Sequence, residues 1–188
     1  MSAITISRQM GSRGDELAQE VAGRLDWRCV CRDLINQAAQ AAGVPQVALA
    51  DIDELGFLGL RPSAREWAAY QSQIARIIRQ LADEGNVVIV GRGGQVVLRE
   101  RPDVLHVRVV APWQIRVARL RERRHISAEA ARACLEASDR ARARYLRRSH
   151  GVRPDDPTLY HLILNTGLLE LSQAADLIIQ AVRSRASG

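Results

Sequence analysis

Short apolar runs alternate with longer segments of helical periodicity along this chain. The short runs, which predict strands, lie at 3–7, 28–31, 87–90, 104–110 and 161–164. The helical segments, in which apolar residues recur every three or four positions, lie at 15–25, 33–42, 63–83, 112–124, 128–148 and 172–183. The run at 87–90 is apolar throughout, as in a strand that helices cover on both faces. The alternation predicts an α/β fold with a mostly parallel sheet.

Capping and breaking residues mark the ends of the longest predicted helices. Ser63 and Ser127 are candidate N-caps, and Gly85 ends the first of these two patterns. Trp67 and Tyr70 share the apolar stripe of that helix, so they are predicted to pack in the core rather than to stack on a ligand. The preceding segment, 44–62, mixes prolines and glycines with scattered acidic residues and is predicted to form a loop or short helices over the site.

A glycine-containing turn joins the first strand to the first helix. This order builds a phosphate site, because the first N–H groups of a helix lack internal partners and lie at the positive end of the helix dipole. The usual nucleotide-binding loop reads G-x-x-x-x-G-K-[ST], with the lysine on the phosphates and the hydroxyl on magnesium. Here Arg8 replaces the first glycine, Gly14 the lysine and Asp15 the hydroxyl residue. Phosphate must therefore be neutralised by arginine, a metal ion or backbone N–H groups.

The charge of the chain comes from arginine alone. All 27 basic residues among the 188 are arginine, and the net charge is +6. This charge favours anionic ligands such as nucleotides or nucleic acid, although a GC-rich genome produces the same arginine bias. The sequence shows neither a signal peptide nor an apolar run of membrane-spanning length, which predicts a cytoplasmic protein with no membrane partner. Its three cysteines lack the second pair of a zinc site and are predicted to be reduced thiols.

Three segments follow directly on predicted strands, at 7–14, 91–94 and 165–167. Ligands of open parallel sheets bind at the C-terminal ends of the strands, so these segments are predicted to surround one crevice. Arg92 lies between glycines in the second segment. A guanidinium placed there is suited to bind an oxyanion through two parallel N–H groups, and the alternative is an ordinary arginine of a surface turn.

Two predicted helices are rich in arginine. The eight side chains are Arg116, Arg119, Arg123 and Arg124 on one helix and Arg140, Arg144, Arg147 and Arg148 on the next. Residues 140, 144 and 148 share one helical face, where like charges repel unless an anion joins them. Asp139 begins that face and is predicted to hold an arginine in place. A solvated, charged surface is the alternative explanation of the same pattern.

Five motifs, in order along the chain, resemble the cytidylate kinase-like family of P-loop nucleoside monophosphate kinases. They are I-T-I-S-R-Q-M-G-S-R-G at 4–14, R-D-L-I at 32–35, G-R-G-G at 91–94 with P-D-V at 102–104, the arginine-rich segment 138–147, and N-T-G-L at 165–168. The resemblance implies a P-loop NTPase-type three-layer sandwich with a five-stranded, mostly parallel sheet. It also implies a single domain over residues 1–188, with an arginine-rich helical lid at approximately 120–156.

The resemblance further implies roles for individual residues. ATP with Mg²⁺ would bind at the first turn, through Arg8, Gly11, Ser12, Arg13, Gly14 and Asp15. Asp15 would be the metal ligand. The acceptor monophosphate would face Arg32, Asp33 and Arg92. Phosphoryl transfer would be assisted by Arg13, in place of the missing lysine, and by the lid arginines Arg140, Arg144 and Arg147.

Two departures from the family pattern bear on the acceptor. Gly93 and Cys31 stand where the related kinases have aspartates, which leaves the recognition of cytosine open. The favoured function is transfer of the γ-phosphate of ATP to CMP, dCMP or a related small acceptor. One alternative is a catalytically degenerate nucleotide-binding or sensory protein on the same fold. The other is an arginine-rich nucleic-acid-binding module, against which stands the single aromatic residue of the arginine cluster, Tyr145. The oligomeric state stays open.

Overall fold

Five parallel strands form the centre of the molecule. The computed structural model describes residues 3–41, 43 and 63–186. The strands, in chain order, are β1 (Ala3–Arg8), β2 (Arg28–Val30), β3 (Val87–Val90), β4 (Val104–Val110) and β5 (Leu162–Asn165). They lie side by side in the order β2-β3-β1-β4-β5, and each neighbouring pair is parallel. The predicted five-stranded sheet is therefore confirmed, including its direction.

Helices connect the strands. In chain order they are α1 (Gly14–Leu25), α2 (Arg32–Ala41), α3 (Ala64–Glu84), α4 (Gly94–Val97), α5 (Trp113–Arg124), α6 (Ala128–His150) and α7 (Leu171–Ala186), with a 3₁₀ turn at Pro157–Leu159. The six helices expected from periodicity are confirmed, whereas α4 was not predicted because a single helical turn shows no periodicity. The loop or short helices predicted at 44–62 fall outside the described residues. Of the helices that the structure describes, none is long and apolar enough to cross a membrane.

Caps fix the ends of the two longest helices. The Ser63 hydroxyl accepts the backbone N–H of Glu66, and the Glu66 carboxylate accepts the backbone N–H of Ser63, which completes a capping box. Gly85 follows the end of α3 as predicted. Ser127 caps α6 in the expected way, because its hydroxyl accepts the N–H of Ala130 at 3.1 Å.

The two faces of the sheet bury separate clusters of side chains. Because side chains alternate along a strand, Ile4 and Ile6 of β1 pack toward α1 and α7, whereas Ala3 packs toward α2 and α3. Tyr70 of α3 is fully buried in the second cluster. The Trp67 ring is half-buried, 5.8 Å from the Tyr70 ring. The prediction of a core position is confirmed for Tyr70, whereas Trp67 lies outside the buried cluster and Arg148 covers its ring.

Polar side chains interrupt the apolar face of the sheet that packs toward α2 and α3. The Thr5 hydroxyl lies 2.8 Å from Nδ1 of His106, and the backbone N–H of His106 donates to Nδ1 of His161 at 2.9 Å. The two imidazole rings stack with centroids 5.1 Å apart. Burial, and then the neighbouring His161, lower the pKa of His106 to about 4, so this ring is neutral in the folded protein. Two positions further along β4, toward the C-terminal end of the sheet, lies Arg108.

Candidate functional site

The turn between β1 and α1 has a backbone that only particular residues can adopt. Gly11 has φ +78°, and a Cβ there would lie 2.9 Å from the carbonyl oxygen of Arg116. A Cβ on Gly14 would lie 2.5 Å from the Cβ of Arg8. Arg13, at the N-cap of α1, is itself left-handed, with φ 59°. We name residues 8–16 the phosphate loop.

Side chains from elsewhere hold the carbonyl groups of this loop. The Met10 carbonyl accepts Nε of Arg116 at 2.7 Å, and the Ser12 carbonyl accepts the Thr166 hydroxyl at 2.6 Å. Within the loop, the Ser12 hydroxyl donates to the Gln9 carbonyl at 2.8 Å. These bonds give the N-T-G-L segment at 165–168 a physical role, since its threonine fixes the loop.

The N–H groups of the loop are left available. Ser12 donates to the Gln9 carbonyl at 3.3 Å. The N–H groups of Gly11, Arg13, Gly14 and Asp15 make no hydrogen bond to any residue that the structure describes. Three of these four donors lie at the N-cap and in the first turn of α1, where the helix dipole adds positive potential. The arrangement is suited to bind a phosphate through backbone donors.

The charged side chains of the loop pair with one another. Nε of Arg8 donates to Oδ1 of Asp15 at 2.9 Å, and Nε of Arg13 donates to Oε2 of Glu16 at 2.8 Å. The Arg8 side chain passes over Gly91, where a Cβ would lie 2.9 Å from its Nη1. Arg8 therefore reaches the end of β3, while Arg13 stays beside its own helix.

A cavity of about 400 Å³ lies at the C-terminal ends of β1, β3 and β4, between the turn at 91–95, helix α6 and residues 153–155. Ligands of open parallel sheets bind at this edge. Its lining is rich in arginine, with Arg8, Arg92, Arg108, Arg142, Arg147 and Arg153. Two carboxylates also line it, Asp139 and Asp155. Of the three strand-end segments predicted to surround one crevice, residues 7–9 and 91–93 line this cavity, whereas 165–167 are not part of its described lining.

Arg92 is fixed from two directions. Its Nε and Nη2 donate to Oδ1 of Asn36 in α2 at 3.1 and 2.7 Å. The Tyr145 hydroxyl of α6 donates to the Arg92 carbonyl at 3.2 Å. Only 7% of Arg92 is exposed, so it is not an ordinary arginine of a surface turn. Arg92 thus joins α2, the β3–α4 turn and α6 at the wall of the cavity.

An ion pair between a buried arginine and a half-buried aspartate links the phosphate loop to α6. The guanidinium of Arg116, only 3% exposed, binds both carboxylate oxygens of Asp139 at 2.8–2.9 Å while its Nε holds the Met10 carbonyl. The Trp113 ring lies 5.5 Å from its Cζ. The prediction that Asp139 holds an arginine is confirmed, and the arginine is Arg116.

The arginines of α6 divide between two faces. Arg142 and Arg147 line the cavity. Arg140 and Arg144, together with Arg147 and Arg148, line a separate open groove, and Arg140 pairs with Glu136 at 3.4 Å. An α-helix turns by about 100° per residue, so positions 139, 142 and 146 face the cavity and positions 140 and 144 do not. Of the three predicted lid arginines, the structure therefore brings only Arg147 to the cavity.

The predicted acceptor residues of α2 lie at its start. Arg32 is the first residue of the helix, but its side chain is outside the described part of the structure. Asp33 is exposed and is not part of the described lining of the cavity. Arg92 is the predicted acceptor residue that reaches the cavity.

The side chain of His150 packs against Gly93. Gly93 has φ +71°, and a Cβ there would lie 2.5 Å from Nε2 of His150. An aspartate at this position would collide with the imidazole and would occupy a left-handed backbone. The departure from the G-R-D pattern is therefore coupled to the presence of His150 at the end of α6.

Several residues of the cavity were not singled out from the sequence as site residues. They are Ser7, Arg108, Arg142, Tyr145 and Arg153. A signal for Arg108 exists in the sequence, because a charged residue inside the otherwise apolar run 104–110 requires a special partner. Arg142 and Arg153 carry no such signal, since exposed arginines surround them in the sequence.

Known proteins share the fold described above, and a family model matches most of the chain. Residues 3–168 match the cytidylate kinase-like family. A cytidylate kinase of Methanopyrus kandleri is 30% identical over 102 residues, which is 50% of this chain and 53% of that protein. A uronate isomerase of Corynebacterium glutamicum is 25% identical over 149 residues, 79% of this chain but 28% of that protein. The chain thus spans about half the length of the first curated relative that it matches, and less of the second.

Solved structures share the fold over the whole chain. An uncharacterized protein from Eubacterium ventriosum superposes with a TM-score of 0.77 at 19% identity, covering 98% of this chain and 99% of that one. A shikimate kinase from Acinetobacter baumannii in complex with shikimate superposes with a TM-score of 0.56 at 12% identity, covering 98% and 94%. At these identities the likeness is one of fold, and the fold is that of the P-loop kinases.

Proposed function

Because this chain belongs to the cytidylate kinase-like family, we propose that it is a kinase that transfers the γ-phosphate of ATP to CMP, dCMP or a related small acceptor. The phosphate loop supports the donor half of this proposal and the arginine-lined cavity the acceptor half. Both lie at one edge of the sheet, which phosphoryl transfer between two bound molecules requires.

The main support for the proposal is the hydrogen bonding of the phosphate-loop backbone. The Met10 and Ser12 carbonyls are held by Arg116 and Thr166. Four N–H groups, at positions 11 and 13–15, have no partner within the described chain. The first N–H groups of a helix have no intrahelical partner, and a polyphosphate supplies the missing acceptors. The donor nucleotide would bind here through backbone contacts.

Magnesium has one carboxylate available at the loop. Of the residues that the structure describes, no three His, Cys, Asp or Glu side chains converge as a metal site. Mg²⁺ in nucleotide complexes needs only one or two carboxylates beside phosphate oxygens and water, so Asp15 fits this role. Oδ1 of Asp15 accepts the Nε–H of Arg8, and the same carboxylate would hold the ion. When bound, the ion would neutralise phosphate charge.

Arginine would supply most of the remaining neutralisation. Arg8, Arg142 and Arg147 reach the cavity from the loop and from α6, where they would stabilise the charge of the transferred group. Arg13 would replace the absent lysine only after leaving Glu16, its partner at 2.8 Å. Arg140 and Arg144 would contribute only if α6 moves relative to the loop, as a lid at approximately 120–156 requires. Hydrogen exchange of that segment, with and without ATP plus CMP, measures such closure.

The two alternatives have less support. A degenerate nucleotide-binding protein would share the fold and the loop, but neither the family match nor the structural neighbours favour loss of the reaction. A nucleic-acid-binding module would need arginines available along α6, whereas Arg140 pairs with Glu136 and Arg148 lies 4.0 Å from the ring of Trp67. Specific binding of nucleic acid is therefore not expected.

Transfer from labelled ATP tests the proposal. The full chain is incubated with ATP carrying a labelled γ-phosphate, Mg²⁺ and each of the common nucleoside monophosphates, and the labelled diphosphate is separated. We expect transfer to CMP or dCMP above hydrolysis to free phosphate. Binding of ATP without transfer to any acceptor would support the degenerate alternative, and absence of ATP binding by thermal shift would contradict the donor site itself.

A further inference from the structure

Arg108 is a buried guanidinium at the floor of the cavity. It lies opposite Ser7 in the pairing of β4 with β1, and 9% of the residue is exposed. Its Nη1 donates to the Ser7 hydroxyl at 3.2 Å and to the Tyr160 hydroxyl at 3.4 Å, and its Cζ lies 5.5 Å from the centre of the Tyr160 ring. Tyr160 in turn donates to the Pro154 carbonyl at 3.0 Å. Uncharged groups therefore hold this cation in place.

Among the residues that the structure describes, no carboxylate pairs with Arg108, in contrast to Arg116, which is also buried. Arg116 binds both oxygens of Asp139. Arg108 forms no ion pair with any residue that the structure describes. Asp155 lines the same cavity, but its two oxygens accept Nε and Nη2 of Arg153 at 3.1 and 2.6 Å. The pKa of Asp155 is lowered first by these bonds, and the charge of Arg108 contributes least.

A guanidinium withdrawn from water without a counter-charge is costly, so a fold retains one where a ligand completes the pair. The cavity is the open side of Arg108, because the sheet and Tyr160 occupy the others. The planar donors of a guanidinium match the two oxygens of a phosphate or a carboxylate.

We propose that Arg108 binds an oxyanion carried by the acceptor, so that this kinase acts on anionic acceptors and discriminates against neutral ones. The proposal rests on the proposed function, since it assigns a binding residue to the acceptor cavity. The shared ligand chemistry is a phosphate or a carboxylate on a small molecule that fits about 400 Å³. A neutral analogue of the same shape leaves the cation buried and unpaired, which is the situation in which polar sites discriminate most strongly.

Matched pairs of probes and variants test this assignment. Titration calorimetry on the full chain compares CMP with cytidine, and shikimate with its methyl ester, for the wild type and for Arg108→Gln. Arg28→Gln is the control, because Arg28 is also a strand arginine but pairs with Glu84 at the surface, outside the cavity. The first pair reports a phosphate and the second a carboxylate, so the pair that responds identifies the anion.

We expect Arg108→Gln to weaken binding of the anionic member of one pair about 10- to 100-fold and to leave its neutral partner unchanged. The control is expected to bind like the wild type. Equal affinity of wild type and Arg108→Gln for both anions would overturn the proposal, as would wild-type protein that binds neither anion.

ATP affinity, measured in the same samples, separates this proposal from the proposed function. Unchanged ATP binding with lost CMP discrimination supports both. If the wild-type protein binds CMP through Arg108 but binds no ATP, the proposed kinase function is contradicted and the proposed anion site still stands.

Tyr160→Phe provides a second variant, since it keeps the ring beside Arg108 and removes the hydroxyl at 3.4 Å. It should raise KM for the anionic acceptor about 2- to 5-fold with kcat unchanged, and an unchanged KM would count against the site even if Arg108→Gln fails to fold.

Discussion

The arginines of the phosphate loop and the arginine at the cavity floor have different kinds of hydrogen-bond partner. In the loop, Arg8 and Arg13 pair with Asp15 and Glu16, so the side-chain charge is largely neutralised locally. At the cavity floor, Arg108 has only hydroxyl partners among the described residues. The loop is therefore prepared to bind an anion through its backbone, and the cavity through its side chains.

This difference separates the effects of substitution in the two regions. Backbone donors depend on glycine conformations and on the groups that hold the carbonyls, so the loop should be sensitive to shape. A guanidinium site depends on charge, so the cavity floor should be sensitive to the acceptor's ionisation state.

The largest expected effect is the difference in stability between variants of two buried arginines, Arg116 and Arg108. Arg116→Met leaves the half-buried Asp139 carboxylate without its partner and frees the Met10 carbonyl, and should lower the free energy of unfolding by about 1–3 kcal/mol. Arg108→Met removes a cation that has no carboxylate and should change that free energy by less than about 1 kcal/mol, or raise it. Urea unfolding measures both. Equal losses for the two variants would contradict the distinction between paired and ligand-completed arginines.

The next effect concerns loop shape. Gly11→Val places a β-branched residue at φ +78° and a Cβ 2.9 Å from the Arg116 carbonyl oxygen, at a cost of about 1–3 kcal/mol in backbone strain alone. We expect ATP affinity to fall by at least about tenfold. Gly23→Ala is the matched control, since nothing lies within 4 Å of a Cβ there, in the middle of α1. ATP titrations that show equal affinity for the two variants would argue against the backbone site.

The sheet should contribute a large part of the acid sensitivity. The pKa of His106 is lowered to about 4 in the folded protein. Between pH 6.5 and 4, this imidazole is therefore protonated in the unfolded chain but not in the folded one. Stability should therefore fall by roughly 2–3 kcal/mol as pH drops through this window. His106→Asn should reduce the slope of the profile, and substitution of the exposed His125 by Asn is the matched control. A profile of unfolding free energy that is unchanged in His106→Asn would exclude this residue as the cause.

The smallest expected effect tests the role of Asp15. Asp15→Asn releases Arg8 and removes a negative charge from the first turn of α1. ATP without metal should then bind several-fold more tightly, because one like-charge repulsion is lost and one cation is gained. If Asp15 also holds Mg²⁺, the gain in ATP affinity on adding Mg²⁺ should shrink. Titrations with and without Mg²⁺ that match the wild type in both respects would remove Asp15 from the donor site.

Much of the fold follows from local pattern, and parts of the site do not. The strand at 87–90 and the capped helix α3 could be predicted because their signals are short-range. The pairing of Arg116 with Asp139 could be anticipated only in part, because it joins two helices across 23 positions. That Arg142 rather than Arg140 faces the cavity depends on how α6 rotates against the loop, which periodicity in a uniformly arginine-rich helix does not specify.

The most direct test of the account is whether donor and acceptor anions occupy the loop and the cavity together. A bisubstrate compound that joins adenosine and cytidine through a five-phosphate bridge spans both sites if they are adjacent. Titration calorimetry should show it binding at least about 100-fold more tightly than ATP or CMP alone, because the second anion binds at high effective concentration. The gain should disappear in Arg108→Gln while ATP affinity is kept. A bisubstrate compound that binds no more tightly than ATP would contradict the account of two anion sites in one crevice.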